Sequence, residues 1–230
     1  MRPSTLGAAA AAGPRSSLPL KQAPRPRIVP AAVTPLLIAL EGIDGSGTTT
    51  QTALLCDWMR TQGLFVHRTR EPSRGPVGQV LTALLRGQLA APPDVVALLF
   101  AADRLDHLDR EVGPQLAAGA HVVSDRYLLS SLAYQSVGCP PDWVETINSH
   151  ARRPDVCFLL RVGVDVAAAR RTADRRAKEL FDARETQEQV ALRYARLADR
   201  YGAVAVDGEQ PIDQVQAYLR SHLARLLGIE

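Results

Sequence analysis

The chain has 230 residues, 46% hydrophobic and 22% charged, which is ordinary for a soluble globular protein and long enough for one domain with a sizeable core. Its formal net charge of +3 is unevenly spread: Arg2, Arg15, Lys21, Arg25 and Arg27 stand in residues 1–35 with no acid, leaving 22 bases against 24 acids in the remainder. That remainder is no polycation, so general nucleic-acid binding has little support, and no apolar run reaches the length of a membrane span.

Residues 1–34 are rich in Ala, Pro, Ser and Arg without hydrophobic period, which reads as a disordered tail. A basic, acid-free composition also fits a transit peptide; a tail without function is the simpler reading. Residues 8–12 are too short an apolar core for a secretory signal. Cys56, Cys139 and Cys157 are far apart and show no metal or redox spacing, which suits a reducing, cytoplasmic setting.

From residue 35 the pattern is that of a folded domain, 35–230. An apolar strand at 36–40 runs into Glu41-Gly42-Ile43-Asp44-Gly45-Ser46-Gly47-Thr48-Thr49-Thr50. The spacing then predicts a helix over 48–62, with Leu54, Leu55, Trp58 and Met59 on one face and Gly63 at its end. A second strand at 64–69 is ended by Glu71-Pro72. Residues 73–78 read as a Gly/Pro loop, and Val80, Leu81, Leu84 and Leu85 as a helix closed by Gly87. Pro92-Pro93-Asp94 opens one long helix reaching about Val112. A strand at 121–124 leads to Asp125-Arg126-Tyr127. Helices follow at 129–137 and 142–150, then a strand at 156–160. Residues 166–179 are polar and Arg-rich with a weak helical period. A firmer helix at 186–201, a strand at 203–206 and a helix at 212–227 complete the chain.

Five short apolar strands alternating with helices predict a three-layer α/β domain on a five-stranded parallel sheet. Ligands of such folds sit at the carboxyl ends of the strands. Three polar motifs lie there: residues 41–50, Arg70-Glu71-Pro72 and Asp125-Arg126-Tyr127. The first is a Gly-rich turn between a buried strand and a helix N-terminus, a ready cradle for phosphate. Against G-x-x-x-x-G-K-[ST] it matches at Gly42, Gly47 and Thr49 and fails at Thr48, where lysine belongs. Thr49 holds the hydroxyl position that ligates Mg²⁺, and Asp125 can support the same ion through water. Arg126 suits a phosphate clamp, and Pro72 ends the second strand so that Arg70 is left at the rim. Phe100 and Arg104, four apart on a helix, can stack on a base and hydrogen-bond its edge. Arg170, Arg171, Arg175, Arg176 and Lys178 read as a solvated basic face or as a lid over polyphosphate.

Over about residues 35–228 these segments resemble the thymidylate kinases. The match runs through residues 40–47, Thr69-Arg70-Glu71-Pro72, Leu99-Phe100-Ala101-Ala102-Asp103-Arg104, Ser124-Asp125-Arg126-Tyr127 with Ser130, Ala133-Tyr134-Gln135, and Phe181-Asp182 ahead of Val190 and Tyr194. The resemblance implies a P-loop kinase fold with a helical lid at about 166–184, and phosphorylation of dTMP to dTDP by ATP and Mg²⁺. It implies that Gly42, Ile43, Asp44, Gly45, Ser46, Gly47, Thr48, Thr49, Thr50 and Arg170 hold ATP. Asp44 would engage the sugar 3′-OH, Arg70 and Arg126 the acceptor phosphate, Phe100 and Arg104 the thymine. Tyr134 would lie under the deoxyribose, with Ser130 and Gln135 beside it. Gly45 replaces the loop arginine that some members carry, so Arg175 and Arg176 in the lid would supply the cation at the transferring phosphate. Members are commonly homodimers.

Losing the loop lysine would remove ~3–4 kcal/mol of charge stabilisation if nothing replaced it. Two alternatives follow: a nucleotide-binding protein with little turnover, or a P-loop kinase for another nucleoside monophosphate. The intact acceptor motifs favour an active dTMP kinase.

Overall fold

A computed structural model describes residues 34–173, 180, 181 and 183–229. The chain order is β1 (Leu37–Gly42), α1 (Thr48–Thr61), β2 (Val66–Arg70), α2 (Pro76–Leu85), α3 (Pro93–His107), a π-helical turn (Leu108–Val112), α4 (Gly113–Ala117), β3 (His121–Asp125), α5 (Leu128–Tyr134), a 3₁₀ turn (Gln135–Val137), α6 (Pro141–Ile147), β4 (Val156–Arg161), α7 (Val164–Ala173), α8 (Arg184–Tyr201), β5 (Val204–Asp207) and α9 (Ile212–Leu227). The strands form one sheet in the order β2-β3-β1-β4-β5, and every pairing is parallel.

The central strands β1, β3 and β4 are buried along almost their whole length, and apolar side chains pack on both faces of the sheet. Side chains alternate across a strand. Leu37 and Ala39 of β1 join Val122, Leu159, Leu129 and Tyr194 on one side. Ile38 and Leu40 join Leu55, Met59, Val123, Phe158 and Leu219 on the other. Helices α5 and α8 thus cover one face, and α1 and α9 the other. This is the expected three-layer arrangement. Burying each such Leu or Ile side chain contributes about 1.5–3 kcal/mol. All three cysteines are buried and unbridged. Among the described residues no helix is long and apolar enough to cross a membrane.

Two elements differ from expectation. The stretch read as a loop at 73–78 already contains the start of α2, because Pro76 suits the first helical turn. Gly78 sits inside that helix where a Cβ would overlap the Ser73 backbone. The helix expected to continue to Val112 changes character after His107. Pro114 cannot donate a backbone hydrogen bond and its ring would crowd the carbonyl four residues back. The π turn takes up the misfit, and a Cβ at Gly113 would stand only 2.8 Å from the Leu108 carbonyl oxygen.

The register brings the strand ends level. Leu40 and Arg70 both pair with Asp125, so the loops after β1, β2 and β3 open on one rim.

Candidate active site

A cavity of about 700 Å³ opens at that rim. At one end lies the turn after β1. Gly42, Gly45 and Gly47 have φ of 157°, 89° and 97°, values that L side chains rarely adopt, which is why the turn is glycine-rich. At Gly45 the reason is also steric: α7 packs so closely that a Cβ would overlap the Ala167 carbonyl. Gly47 precedes α1, whose first residues Thr48, Thr49 and Thr50 line the cavity. Thr48 is 5% exposed.

Thr49 Oγ1 donates to Asp125 Oδ2 at 2.6 Å. The other oxygen, Asp125 Oδ1, is buried without a partner among the described residues. A hydroxyl and an unsatisfied carboxylate oxygen beside a phosphate cradle fit a hard divalent cation that takes most of its other ligands from phosphate and water.

Asp44 is the junction of the site. Its Oδ1 accepts from Arg126 Nη2 at 2.6 Å, and its Oδ2 from Tyr134 Oη at 3.0 Å and Gln187 Nε2 at 2.9 Å. Arg126 also donates to the Gly42 carbonyl at 2.6 Å and lies over the Tyr134 ring. Its backbone is left-handed, φ 69°, a conformation that costs a non-glycine residue about 1–2 kcal/mol. These bonds hold it there. Burial opposes the Arg126 charge, but Tyr134, Asp44, Tyr194 and Asp125 outweigh it, and the guanidinium stays protonated. Burial also pushes the Tyr134 hydroxyl up, keeping it neutral.

The far end of the cavity is lined by Arg70, Phe100, Arg104, Ser130 and Gln135. Arg70 ends β2 and is exposed. Arg104 is not the open guanidinium its spacing suggested: it is 1% exposed, because Glu71 Oε2, Ser131 Oγ, the Tyr127 carbonyl and Asn148 all accept from it. Only its Nε lacks a partner among the described residues. Gln135 Oε1 is likewise buried and unpaired there. Ser130 donates to Glu41 Oε2 at 2.6 Å.

Arg170 lines the cavity and donates to the Gly208 carbonyl at 3.0 Å. Arg175, Arg176 and Lys178 lie outside the described residues. From α7 the turn is also reached by Arg171, which donates to the Asp44 carbonyl at 2.6 Å.

Four features were missed in the sequence. Arg171 stood in the basic run without a role. Gln187 occupies the apolar stripe of α8 with Val190, Tyr194 and Ala198, and a buried glutamine in such a stripe is a usable signal. Glu41 is wholly buried, and burial raises its pKa against the opposing Ser130 hydrogen bond and the Arg126 and Arg104 charges. It accepts from the Leu129 backbone at 3.0 Å and so fixes the start of α5. Finally, Gly208, Glu209, Gln210, Pro211 and Ile212 close the side of the cavity beyond the turn.

Residues 40–219 match the thymidylate kinase family. The chain belongs to the thymidylate kinase family. Among curated relatives, a probable thymidylate kinase of Methanothermobacter thermautotrophicus is 39% identical over 84% of this chain and 97% of its own length. One from Thermococcus kodakarensis is 36% identical over 85% and 100%. One from Pyrobaculum calidifontis is 40% identical over 78% and 91%. Membership in this kinase family accords with a glycine-rich turn and a polar pocket opening on a single cavity.

Proposed function

We propose that this chain transfers the γ-phosphoryl group of ATP to dTMP, giving dTDP and ADP. The observation that carries the reading is the single cavity. The phosphate cradle occupies one end, Arg70, Phe100 and Arg104 the other, and Asp44 with Arg126 the boundary between them.

The residues from Gly42 to Thr50 cradle the donor phosphates, and Arg170 faces the donor from α7. Thr49 and Asp125 hold Mg²⁺, which supplies charge neutralisation at the transferring phosphate when bound. At the acceptor end Arg70 and Arg126 bind the dTMP phosphate, Phe100 stacks on thymine and Arg104 meets its edge. Asp44 orients the sugar 3′-OH. Tyr134 lies under the deoxyribose, with Ser130 and Gln135 beside it. An acceptor phosphate oxygen attacks the γ-phosphorus, the bond to the β,γ-bridging oxygen breaks, and ADP leaves. Catalysis of this kind is positioning and charge stabilisation.

Thr48 removes one cation from that arrangement. Lid arginines supply it: Arg175 and Arg176 at the transferring phosphate, with Arg171 anchoring α7 to the turn. A second reading, nucleotide binding without turnover, rests on Thr48 alone. Loss of function tends to erode several site residues together, and Asp44, Arg70, Phe100, Arg104, Asp125 and Arg126 are all present.

Residues 35–230 act as one domain with the lid at about 166–184, and residues 1–34 as a tail. Two copies associate. Val95, Leu98 and Leu105 recur at helical spacing on α3 and are exposed apolar side chains suited to such a contact. The protein works in the cytoplasm.

ATP consumption coupled to ADP detection, with dTMP, dUMP, dGMP and AMP as acceptors, tests the assignment. dTMP is expected to give the highest kcat/KM. A higher value for any other acceptor would replace the substrate, and no turnover with any of them would favour the second reading.

A further inference from the structure

Behind Arg104 lies a run of buried polar groups that the roles above leave unused. Glu71 Oε2 is 2.7 Å from Arg104 Nη2, and Glu71 Oε1 is 3.3 Å from His107 Nδ1. The other ring nitrogen of His107 is 2.7 Å from Thr69 Oγ1 and 3.6 Å from Glu111 Oε2. Glu111 Oε1 is in turn 2.8 Å from His67 Nε2. The side chains of Arg104, His107 and Glu71 are 1%, 1% and 3% exposed, whereas Glu111 reaches solvent.

The charged groups facing His107 are Glu71 beyond the end of β2, Glu111 in the π turn and Asp103 one turn earlier on α3. Arg104 and His67 act through Glu71 and Glu111. Burial disfavours a charged imidazole, but the Glu71 hydrogen bond and the three carboxylates outweigh it and raise its pKa. Glu71 is therefore a carboxylate shared between two cations. When His107 is neutral, the whole Glu71 charge falls on Arg104 and competes with any other acceptor for that guanidinium.

We infer that protonated His107 is a positioning residue for the acceptor base: by dividing the charge of Glu71 with Arg104, it leaves the Arg104 guanidinium available to a carbonyl of the pyrimidine ring. The inference rests on the assignment of Arg104 to the base. Affinity for dTMP then falls as His107 loses its proton, above the ordinary histidine value of about 6.5, while kcat does not move.

The test measures KM for dTMP and kcat from about pH 6 to about pH 9, a range spanning that transition. Wild type, His107→Gln, Glu111→Gln and Arg104→Lys are compared. Dividing wild type by His107→Gln removes the titration of the dTMP phosphate itself. The KM ratio is expected to rise roughly fivefold across the range, as a hydrogen bond to a charged group weakens, with the kcat ratio flat. Glu111→Gln removes one facing charge and moves the rise to lower pH. A KM ratio that does not change with pH overturns the proposal. So does a Glu111→Gln profile that superimposes on wild type, and this arm decides if His107→Gln fails to fold. An Arg104→Lys variant with unchanged KM overturns the Arg104 assignment and the proposal together. A raised KM in that variant with flat His107 ratios overturns the proposal alone.

Discussion

Arg126 Nη2 donates to Asp44 Oδ1 at 2.6 Å while Arg126 Nη1 donates to the Gly42 carbonyl at the same distance. One strained arginine therefore ties the strand carrying Asp125 to both the backbone and the carboxylate of the glycine-rich turn. Both ends of the cavity are built against the same side chain. Arg126→Lys keeps the charge but not the planar fork, so it is expected to lower kcat/KM for dTMP by roughly 10²-fold, in line with removal of one preorganised donor. Asp44→Asn is expected to lower kcat by a similar order. Steady-state kinetics beside a melting curve checks both, since the loss should come without a matching loss of fold.

The Thr49–Asp125 pair makes a second prediction. Asp125→Asn and Thr49→Val each remove part of a site suited to Mg²⁺. The Mg²⁺ concentration for half-maximal turnover should rise about 10- to 100-fold, the range seen when metal-site groups are removed. A Mg²⁺ titration of turnover at saturating ATP measures it.

Thr48 makes a third. If the lid supplies the charge missing from the turn, Arg175→Ala with Arg176→Ala should lower kcat by about 10²-fold or more and leave dTMP affinity within about twofold. Thr48→Lys in that background should recover part of the loss. Equal loss of turnover and dTMP binding, or loss of neither, would end the compensation idea. Calorimetric dTMP titration beside kcat separates the cases.

A fourth concerns stability. His121 at the start of β3 accepts from the Leu36 backbone at 3.2 Å, and burial lowers its pKa. The folded state thus prefers neutral His121, and below about 6.5 the unfolded chain binds this proton more readily. The contribution is present above that value and is lost as pH falls through the lowered folded value, by up to ~1.4 kcal/mol per unit. His121→Asn retains an acceptor without the titration. The melting-temperature advantage of wild type over this variant should shrink between about pH 7.5 and about pH 5.5.

Much of this architecture could be read from residues. The last helix begins and ends where its apolar period does, at Ile212 and Leu227. The strands were visible because sheets covered on both faces need near-continuous apolar runs. Boundaries failed where backbone chemistry overrode side-chain pattern: Pro76 started α2 within an apparent loop, and Pro114 turned the end of a long helix into a π turn. Residues that line the cavity were legible where a motif placed them next to a strand end, as with Asp44, Arg70 and Asp125. Arg104 was legible as a residue facing the cavity but not as a buried one, because its partners Glu71, Ser131 and Asn148 come from distant segments. Gln187 and Arg171 reach Asp44 across 143 and 127 positions, separations that no local pattern reveals.

The central claim is that this family member turns over despite Thr48. The most direct measurement is ADP release with and without dTMP, on protein whose nucleotide affinity is determined in the same preparation. The account predicts ADP release that requires both dTMP and Mg²⁺, with kcat on the order of 1 s⁻¹ or faster. Tight nucleotide binding by folded protein with no dTMP-dependent ADP release would contradict it.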